Sequence, residues 1–441
     1  MVTAETMEDA LVRAYRNNPT LRADRARQRA TDEQVPQAKS GWRPVVTADA
    51  SATDRWVNSR ESSLFGGPAK KYTTSESAPA SVSVQLAQPL FRGFRTVEGI
   101  KAAEANVAAG RQQLLTVEQD VLFRTIQAYM NVIRDRRILN LRKQNVTVLR
   151  EQANAAKQRF DVGEVTRTDV AQSNARVSQS LSDLAGARAQ LASSVASYVA
   201  LVGREPGSLT SPKLARLPDS LKSSLQHAQK INPNILAAAN VEDSARHNIE
   251  VVKGDLLPEA SLLASASVSE DWESDGGRQT TTSVQAVVNV PIYEGGRVYS
   301  SVRQAKQVAS QRRIQIIEAT RQVREAVTAS WNLLESKRSS SQSARAQVSA
   351  AELAASGVRE EYLVGSRSTI DVLNAQQELL NAKISLVVAE RDLIVSSFQV
   401  LGSIGKLTAA NLRLRTQIYD PKRNYNKVKD KWIGLEAETV E

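Results

Sequence analysis

The chain has 441 residues, of which 41% are hydrophobic but only 5% aromatic, a composition that suits long helices packed through small side chains better than one thick globular core. Because it contains no cysteine, disulfides, cysteine-ligated zinc and a thiol nucleophile are excluded. The net charge of +11 comes from basic residues mixed with acidic ones along helical segments, which favours solvated helix faces over a nucleic-acid groove.

The first predicted element is a helical pattern over residues 5–40. Pro19 follows Asn18 inside it and is expected to kink or restart the helix. No basic-then-apolar leader precedes this pattern, so we expect a signal peptide to be absent from this chain. No run of 18 apolar residues is present, so no transmembrane helix is predicted.

Two strands follow, at about 44–58 and 79–91, in which apolar residues alternate with Ser, Thr, Gln and Asp. The alternation predicts one apolar and one mostly polar face. Each segment has roughly the length of a tilted strand that crosses a bilayer, about ten residues. The intervening loop, about 54–78, is rich in Gly, Ser and Lys and is expected to face solvent.

A helical period begins after Gly93 and continues to about residue 160, which would make one α-helix ~100 Å long. Its narrow apolar seam is typical of a coiled coil. A turn at about 160–169 leads to a return helix that begins near Thr166 and ends near Gly203.

The second half of the chain repeats the first, with a constant offset of 202 from Pro89 to Gly203 and an offset of 214 upstream of the first strand. The repeat predicts strands at about 258–272 and 280–292 and a second hairpin tip at about 362–371. We therefore divide the chain into a first repeat, a second repeat and a tail. These three parts cover residues 1–212, 213–405 and 406–441.

Four strands with two unlike faces would also be expected in a soluble β-sandwich. Four strands in one chain are too few to close a β-barrel alone. The polar faces carry Ser, Thr, Gln and Asn, as expected for a wet lumen. Aromatic residues cluster at the strand ends, as in a membrane-interface girdle. They are Trp42, Trp56, Phe91, Trp272 and Tyr293.

Two Val-Gly turns carry the most specific motifs, Arg159-Phe160-Asp-Val162-Gly163 and Tyr362-Leu-Val364-Gly365-Ser-Arg367, each followed by a Thr/Ser…Asp-Val segment. With the Pro-[Leu/Ile]-[Phe/Tyr]-x-Gly junctions after the strands, they make the chain resemble the TolC-type outer-membrane efflux protein family over nearly its whole length. The resemblance implies an α+β membrane protein and a homotrimer. Four strands per protomer would form a trimeric 12-stranded β-barrel, continued by a long antiparallel α-helical coiled-coil tunnel.

The resemblance implies an outer-membrane exit duct of a tripartite efflux or type I secretion system that extends through the periplasm. It would conduct drugs or proteins passively, with a periplasmic adaptor protein, an inner-membrane RND or ABC transporter and outer-membrane lipid as partners. The tail, expected at the equatorial region, contains Tyr419-Asp-Pro421 and Trp432-Ile-Gly434, which resemble type I secretion members. A structural coiled-coil scaffold or stalk without channel activity is the alternative function.

Each turn has a local structural role. Gly163 and Gly365 are expected to end the long helices as C′ residues, and Thr166…Asp169 and Ser368…Asp371 fit the capping box of the next helix. The resemblance adds a gate at the second tip. Its expected residues are Asp371, Asn374, Tyr362, Arg367, Thr168 and Asp169.

In this gate, Asp371 would form an acidic ring in the trimer, and Asn374 replaces the second family acid with a neutral side chain. Arg367 is expected to hold the closed state through a charge-assisted bond to Asp169. The tips would also present a docking motif to the adaptor. Its expected residues are Val162, Gly163, Glu164, Val364, Gly365 and Ser366.

Chemistry of other kinds is not expected. The only two histidines, His227 and His247, lie in polar helical segments and are predicted to be surface residues. Adjacent acids such as Glu360 and Glu361 do not face each other on a helix, and the paired glycines lack a phosphate-loop context. We therefore expect no enzyme activity, metal site, cofactor or nucleic-acid partner.

Overall fold

A computed structural model describes residues 5–60, 72–270 and 277–437. The opening segment forms three consecutive helices. These are α1 (Met7–Asn17), α2 (Pro19–Asp32) and α3 (Gln34–Lys39). Asn18 accepts hydrogen bonds at Oδ1 from the N–H groups of Thr20 and Leu21, and Pro19 occupies the first turn of α2, where its missing N–H costs nothing. The predicted restart at Pro19 is confirmed.

The first repeat contributes more strands than the two that were predicted. They are β1 (Val45–Ala52), β2 (Arg55–Arg60), β3 (Tyr72–Ser77) and β4 (Ala80–Arg92). A single strand over 44–58 is therefore wrong, because β1 ends at Ala52 and β2 pairs with β3 in a separate hairpin. Pro79 has no N–H, so the β1–β4 ladder stops at Ala52–Ala80. Part of the predicted 54–78 loop is this hairpin.

The second repeat supplies the other half of the fold. Its elements before the long hairpin are α6 (Leu221–Ile231), α7 (Pro233–Lys253), β5 (Glu259–Glu270) and β6 (Arg278–Asn289). Pro233 again follows an Asn cap. Trp272, expected in the aromatic girdle, lies outside the described residues.

Strands β1, β4, β5 and β6 form one antiparallel sheet in the order β1-β4-β5-β6. The register aligns the apolar positions across all four strands; for example, Val46 pairs with Leu86, which pairs with Ala264, which pairs with Val284. Because directly paired residues point to the same face, the sheet has one apolar face, as predicted. Val46 and Val284 are 62% and 71% exposed in the single chain.

The long helices follow the sheet as two hairpins. The helices are α4 (Arg95–Asp161), α5 (Arg167–Val202), α8 (Arg297–Leu363) and α9 (Thr369–Ile404). Both α4 and α8 have 67 residues, or ~100 Å at 1.5 Å per residue, so the predicted length is confirmed. Among the described helices, none is both long enough and apolar enough to cross a membrane.

The main hydrophobic core lies where α1, α4, α5, α9 and the start of the tail meet. Tyr129 and Tyr198 are fully buried there, and both reach the first described residue, Glu5. Tyr129 donates from its hydroxyl to the backbone oxygens of Thr210 and Glu5, and Tyr198 donates to Glu5 Oε1 at 3.0 Å. These bonds tie the beginning of the chain to the segment that joins the two repeats.

The opening helices are fastened to the long helices by polar contacts as well. His247 on α7 places Nδ1 2.6 Å from Glu98 Oε2 on α4, and its side chain is half-buried. The prediction that His247 is an ordinary surface residue is therefore wrong. The sequence showed that α7 is polar around His247, but it did not show that α4 packs against that face. His227 instead uses Nδ1 within α6, 2.8 Å from the Ser223 carbonyl oxygen.

Candidate functional site

Each hairpin tip is a helix end closed by a glycine in the left-handed conformation. Gly163 has φ of +82°, and the N–H of Glu164 donates to the Arg159 carbonyl oxygen at 2.8 Å. Gly365 has φ of +80°, and the N–H of Ser366 donates to the Glu361 carbonyl oxygen at 2.9 Å. These bonds satisfy carbonyl groups that the helix ends would otherwise leave without partners.

Capping boxes start both return helices, as predicted. In α5, Thr166 N and Oγ1 donate to Asp169 Oδ2, at 2.9 and 2.7 Å, and the Asp169 N–H donates back to Thr166 Oγ1. In α9, Ser368 and Asp371 make the same three bonds. The hydroxyl and backbone N–H of Ser368 lower the pKa of Asp371, because both bonds favour the charged carboxylate.

Arg367 forms its charged contact within its own hairpin. Its Nε donates to Glu361 Oε2 at 2.7 Å, and both side chains are about half exposed. The expected Arg367–Asp169 bond is not formed in this conformation, because Glu361 holds the guanidinium and Thr166 holds the Asp169 carboxylate. Glu361 was missed in the sequence because the contact closes across the turn, outside any helical spacing.

Tyr362 connects the two hairpins. The guanidinium of Arg159, on the first long helix, lies 4.8 Å from the centre of the Tyr362 ring, a cation–π distance. Arg159 also lies 3.5 Å from Glu164 Oε2 at the first tip. The structure thus brings the predicted residues Tyr362 and Glu164 together through Arg159, which was not predicted to act at the site.

Asn374 is held by the first return helix. Arg176 Nη2 on α5 donates to Asn374 Oδ1 at 3.0 Å. Because Asn374 lies three residues after Asp371, both are on one face of α9. A cation therefore lies beside the position where the sequence predicted only a neutral side chain. Thr168 is exposed on the first turn of α5.

The tips themselves present apolar side chains to solvent. Val162 is 71% exposed and Val364 is 80% exposed, and Glu164 and Ser366 beside them are also exposed. Within the described ranges, no group of three or more His, Cys, Asp or Glu side chains could hold a metal ion.

The chain matches the family described as outer membrane efflux protein over residues 10–204 and 224–406. It is 41% identical over 434 residues to the outer membrane efflux protein BepC of Brucella suis biovar 1 (strain 1330), covering 98% of this chain and 92% of that protein. It is 26% identical over 427 residues to the outer membrane protein TolC of Escherichia coli (strain K12), covering 93% and 84% of the two chains.

The fold is similar to that of the Campylobacter jejuni CmeC outer membrane channel, with a TM-score of 0.76 and 16% identity, covering 96% of this chain and 89% of that one. The α+β fold agrees with these channels, and the trimeric twelve-stranded barrel implied by the resemblance is consistent with them. The chain therefore belongs to the outer membrane efflux protein family, a family of outer-membrane channel proteins.

Proposed function

We propose that the protein is the exit duct of a tripartite efflux or type I secretion system, through which drugs or proteins pass passively from an inner-membrane transporter to the outside. The observation that carries the proposal is the four-stranded sheet, which has one apolar face and two unpaired edges, at β1 and β6. Unpaired strand edges are unfavourable in lipid unless a closed barrel pairs every strand. Exposed valines are unfavourable in water and favourable against lipid, so the apolar face fits the outside of such a barrel.

Three copies supply twelve strands, with β6 of each protomer pairing with β1 of the next. The barrel then lies in the outer membrane, and helical hairpins of ~100 Å extend from it through the periplasm. Serine, threonine and glutamine on the second face of the sheet line a wet lumen. Ser51 and Ser265 already exchange hydrogen bonds there with Ser81 and Ser283 on the neighbouring strands, both at 2.8 Å.

The periplasmic gate is built from the second tip. In a trimer, Asp371 forms a ring of three carboxylates that repel one another and attract cations. Arg367 controls the ring by exchanging partners: it binds Glu361 in the conformation described above and Asp169 of a facing hairpin when the gate closes. The proposal is supported by the Arg367 side chain, which is about half exposed, and by the position of Tyr362 against Arg159.

The exposed tips are the docking site for the periplasmic adaptor, which joins the duct to an RND or ABC transporter. Val162-Gly163-Glu164 and Val364-Gly365-Ser366 have the same turn geometry, so six such tips form a ring in the trimer. Exposed valines flanked by glycine let a partner backbone approach closely, which suits a tip-to-tip contact with another helical hairpin.

Single-channel conductance of the reconstituted protein tests the gate. Arg367→Ser removes the cation that exchanges between Glu361 and Asp169, so we expect the closed state to be weakened and conductance to rise. Arg338→Ser is the matched control, because Arg338 is similarly exposed and donates to Glu335 at 2.9 Å on the shaft of α8. Unchanged conductance in Arg367→Ser would disprove the gate, and no pore in the wild type would favour the scaffold.

A further inference from the structure

The tail beyond α9 is bound to the first repeat by hydrogen bonds. It includes a short helix, α10 (Pro421–Val428). Asn424 is buried and donates from Nδ2 to Asp32 Oδ2 at 2.9 Å. The Tyr425 hydroxyl donates to Glu104 Oε1 at 3.1 Å. A buried amide on a carboxylate fixes the position of α10 on α2 and α4.

After α10 the tail rises toward the sheet. Lys39 Nζ, at the end of α3, donates to Asp430 Oδ1 at 2.6 Å. Arg43 Nη1 donates to the Lys431 carbonyl oxygen at 2.9 Å. The tail therefore runs alongside the opening segment in the same direction, and Lys431 and Trp432 lie beside Arg43, two residues before β1 begins at Val45.

The segment after Lys431 carries large apolar side chains that are exposed in the described part of the chain. Trp432 is 65% exposed, Ile433 is 90% exposed, and Leu435 is fully exposed. The Trp432 ring lies against the Arg43 guanidinium, 4.8 Å from centre to carbon. This contact holds the indole at the base of the sheet while its apolar edge stays outward.

Basic residues precede this apolar segment, and acidic residues follow it at positions 436, 438 and 441. Residues 421–436 contain five basic and two acidic side chains, and one of the acids, Asp430, is already bound by Lys39. The basic residues are Lys422, Arg423, Lys427, Lys429 and Lys431. A tryptophan that follows a cluster of lysines at the edge of a membrane-facing sheet is a pattern that binds the interface of an anionic bilayer.

We propose that the tail segment Trp432 to Leu435, with Lys429 and Lys431, is an interfacial anchor that binds anionic phospholipid of the periplasm-facing leaflet. The inference rests on the proposed function, because it needs the sheet to lie in a membrane. Trp432, Ile433 and Leu435 insert between the headgroups, and the lysines contact the phosphates. The anchor fixes the height of the barrel in the bilayer from outside the barrel wall.

A single label tests the anchor, because the chain has no cysteine. The full chain with Leu435→Cys carries an environment-sensitive fluorophore and is placed in nanodiscs that contain headgroup-spin-labelled phospholipid, with or without phosphatidylglycerol. We expect strong quenching in the anionic discs. Lys429→Gln with Lys431→Gln should weaken tail binding roughly tenfold or more, since each charge near an anionic surface contributes independently.

Lys222→Gln with Lys230→Gln is the matched control, because both lysines are exposed on α6. The 21 residues of α7 separate α6 from the sheet by ~30 Å. This pair should leave quenching unchanged. If iodide quenches the label in every disc, the label is in water and the anchor is wrong. If the label is shielded equally in detergent, a neighbouring protomer or a bound protein covers it, and the anchor is again wrong. Loss of heat-modifiable trimers overturns the duct itself, whereas trimers with a water-exposed label overturn only the anchor.

Discussion

Asn374 shows how one side chain changes the charge of the candidate gate. It lies three residues after Asp371 on α9 and accepts a hydrogen bond from Arg176. An acid here would add a second ring of carboxylates, whereas an amide leaves the arginine charge uncompensated. We infer that the entrance of this protein holds cations less strongly than a channel with two acidic rings would.

Asn374→Asp should therefore strengthen block by a multivalent cation. The new carboxylate pairs with Arg176, which offsets part of its charge, so we expect a several-fold lower blocking concentration and a larger shift when Arg176→Gln is added. Block of single-channel current at low ionic strength measures the effect. Asn381→Asp, farther along α9, is the control. Asn381 lies about two turns from Asn374 on the same face of α9, so equal block in both variants would show that position 374 has no particular effect on cation block.

Glu118 is a buried acid far from the tips. Its Oε1 accepts the Ala409 N–H at 2.7 Å, which attaches the start of the tail to α4. Burial raises the pKa of Glu118 above its ordinary value of 4.5, and the bonds to Ala409 and the charge of Arg25 only partly oppose that shift. The folded protein therefore holds this proton at a pH where the unfolded chain has lost it.

As pH rises above about 4.5 toward the pKa of the folded state, Glu118 ionises in the unfolded chain first. The free energy of unfolding therefore falls across this pH range. Glu118→Gln keeps an acceptor and cannot ionise. Its apparent melting temperature relative to wild type should rise across this window and then level off. Thermal unfolding at fixed scan rate measures this. Glu118→Ala leaves the Ala409 N–H unpaired and should melt lower at every pH.

The hairpin turns are the elements on which the tip geometry depends. Each long helix ends at a left-handed glycine, and each return helix starts at a capping box within the next few residues. The left-handed glycine and the capping box together fix the backbone of the turn and leave it few alternative conformations. This rigidity lets an exposed valine, a half-exposed arginine and a carboxylate keep fixed positions in a segment without a hydrophobic core.

Ser368→Ala tests this role for the second turn. It removes the hydroxyl that accepts the Asp371 N–H and donates to the Asp371 carboxylate. Loss of an N-cap costs about 1 kcal/mol, so amide exchange in the first turn of α9 should become roughly fivefold faster. Ser340→Ala, at an exposed serine inside α8 that bonds only to the Ser336 carbonyl, should leave exchange in α9 unchanged.

Across the whole molecule, the two repeats pack against each other along one side. The other side of each repeat, which includes β1 in the first and β6 in the second, has no partner within the described chain. β4 pairs with β5, α7 packs along both α4 and α8, and α9 packs on both α4 and α8. The equivalent partners of β6 and of the free side of α8 would be β1 and α2 of another chain. A head-to-tail contact of this kind, repeated three times, closes a ring.

The open side of α8 is where this closure can be tested. Ile314 and Ile317 lie three residues apart on one face and are 62% and 52% exposed. Ile314→Asp with Ile317→Asp should abolish the trimer, because each protomer interface would bury charges without partners. Gln113→Asp, at an exposed polar position on α4, is the control. Trimer content by native mass measurement decides, and an intact trimer in the double variant would contradict the closure.

Local pattern was enough to predict much of this protein. The long helices, the two-faced strands, the glycine turns, the capping boxes and the restart at Pro19 all follow from residues within one or two helical turns of each other. The internal repeat extended these local signals, because a pattern that occurs twice at a constant offset predicts two copies of one hairpin.

Contacts between distant segments needed the tertiary structure. The contact of Arg367 with Glu361 depends on the path of the turn, and the Arg176–Asn374 bond joins residues from different hairpins. The same holds for His247 on Glu98 and for the tail beside Arg43. Periodicity records which face of an element is buried, but it contains no information on which other element covers that face. Only the folded chain decides those partners.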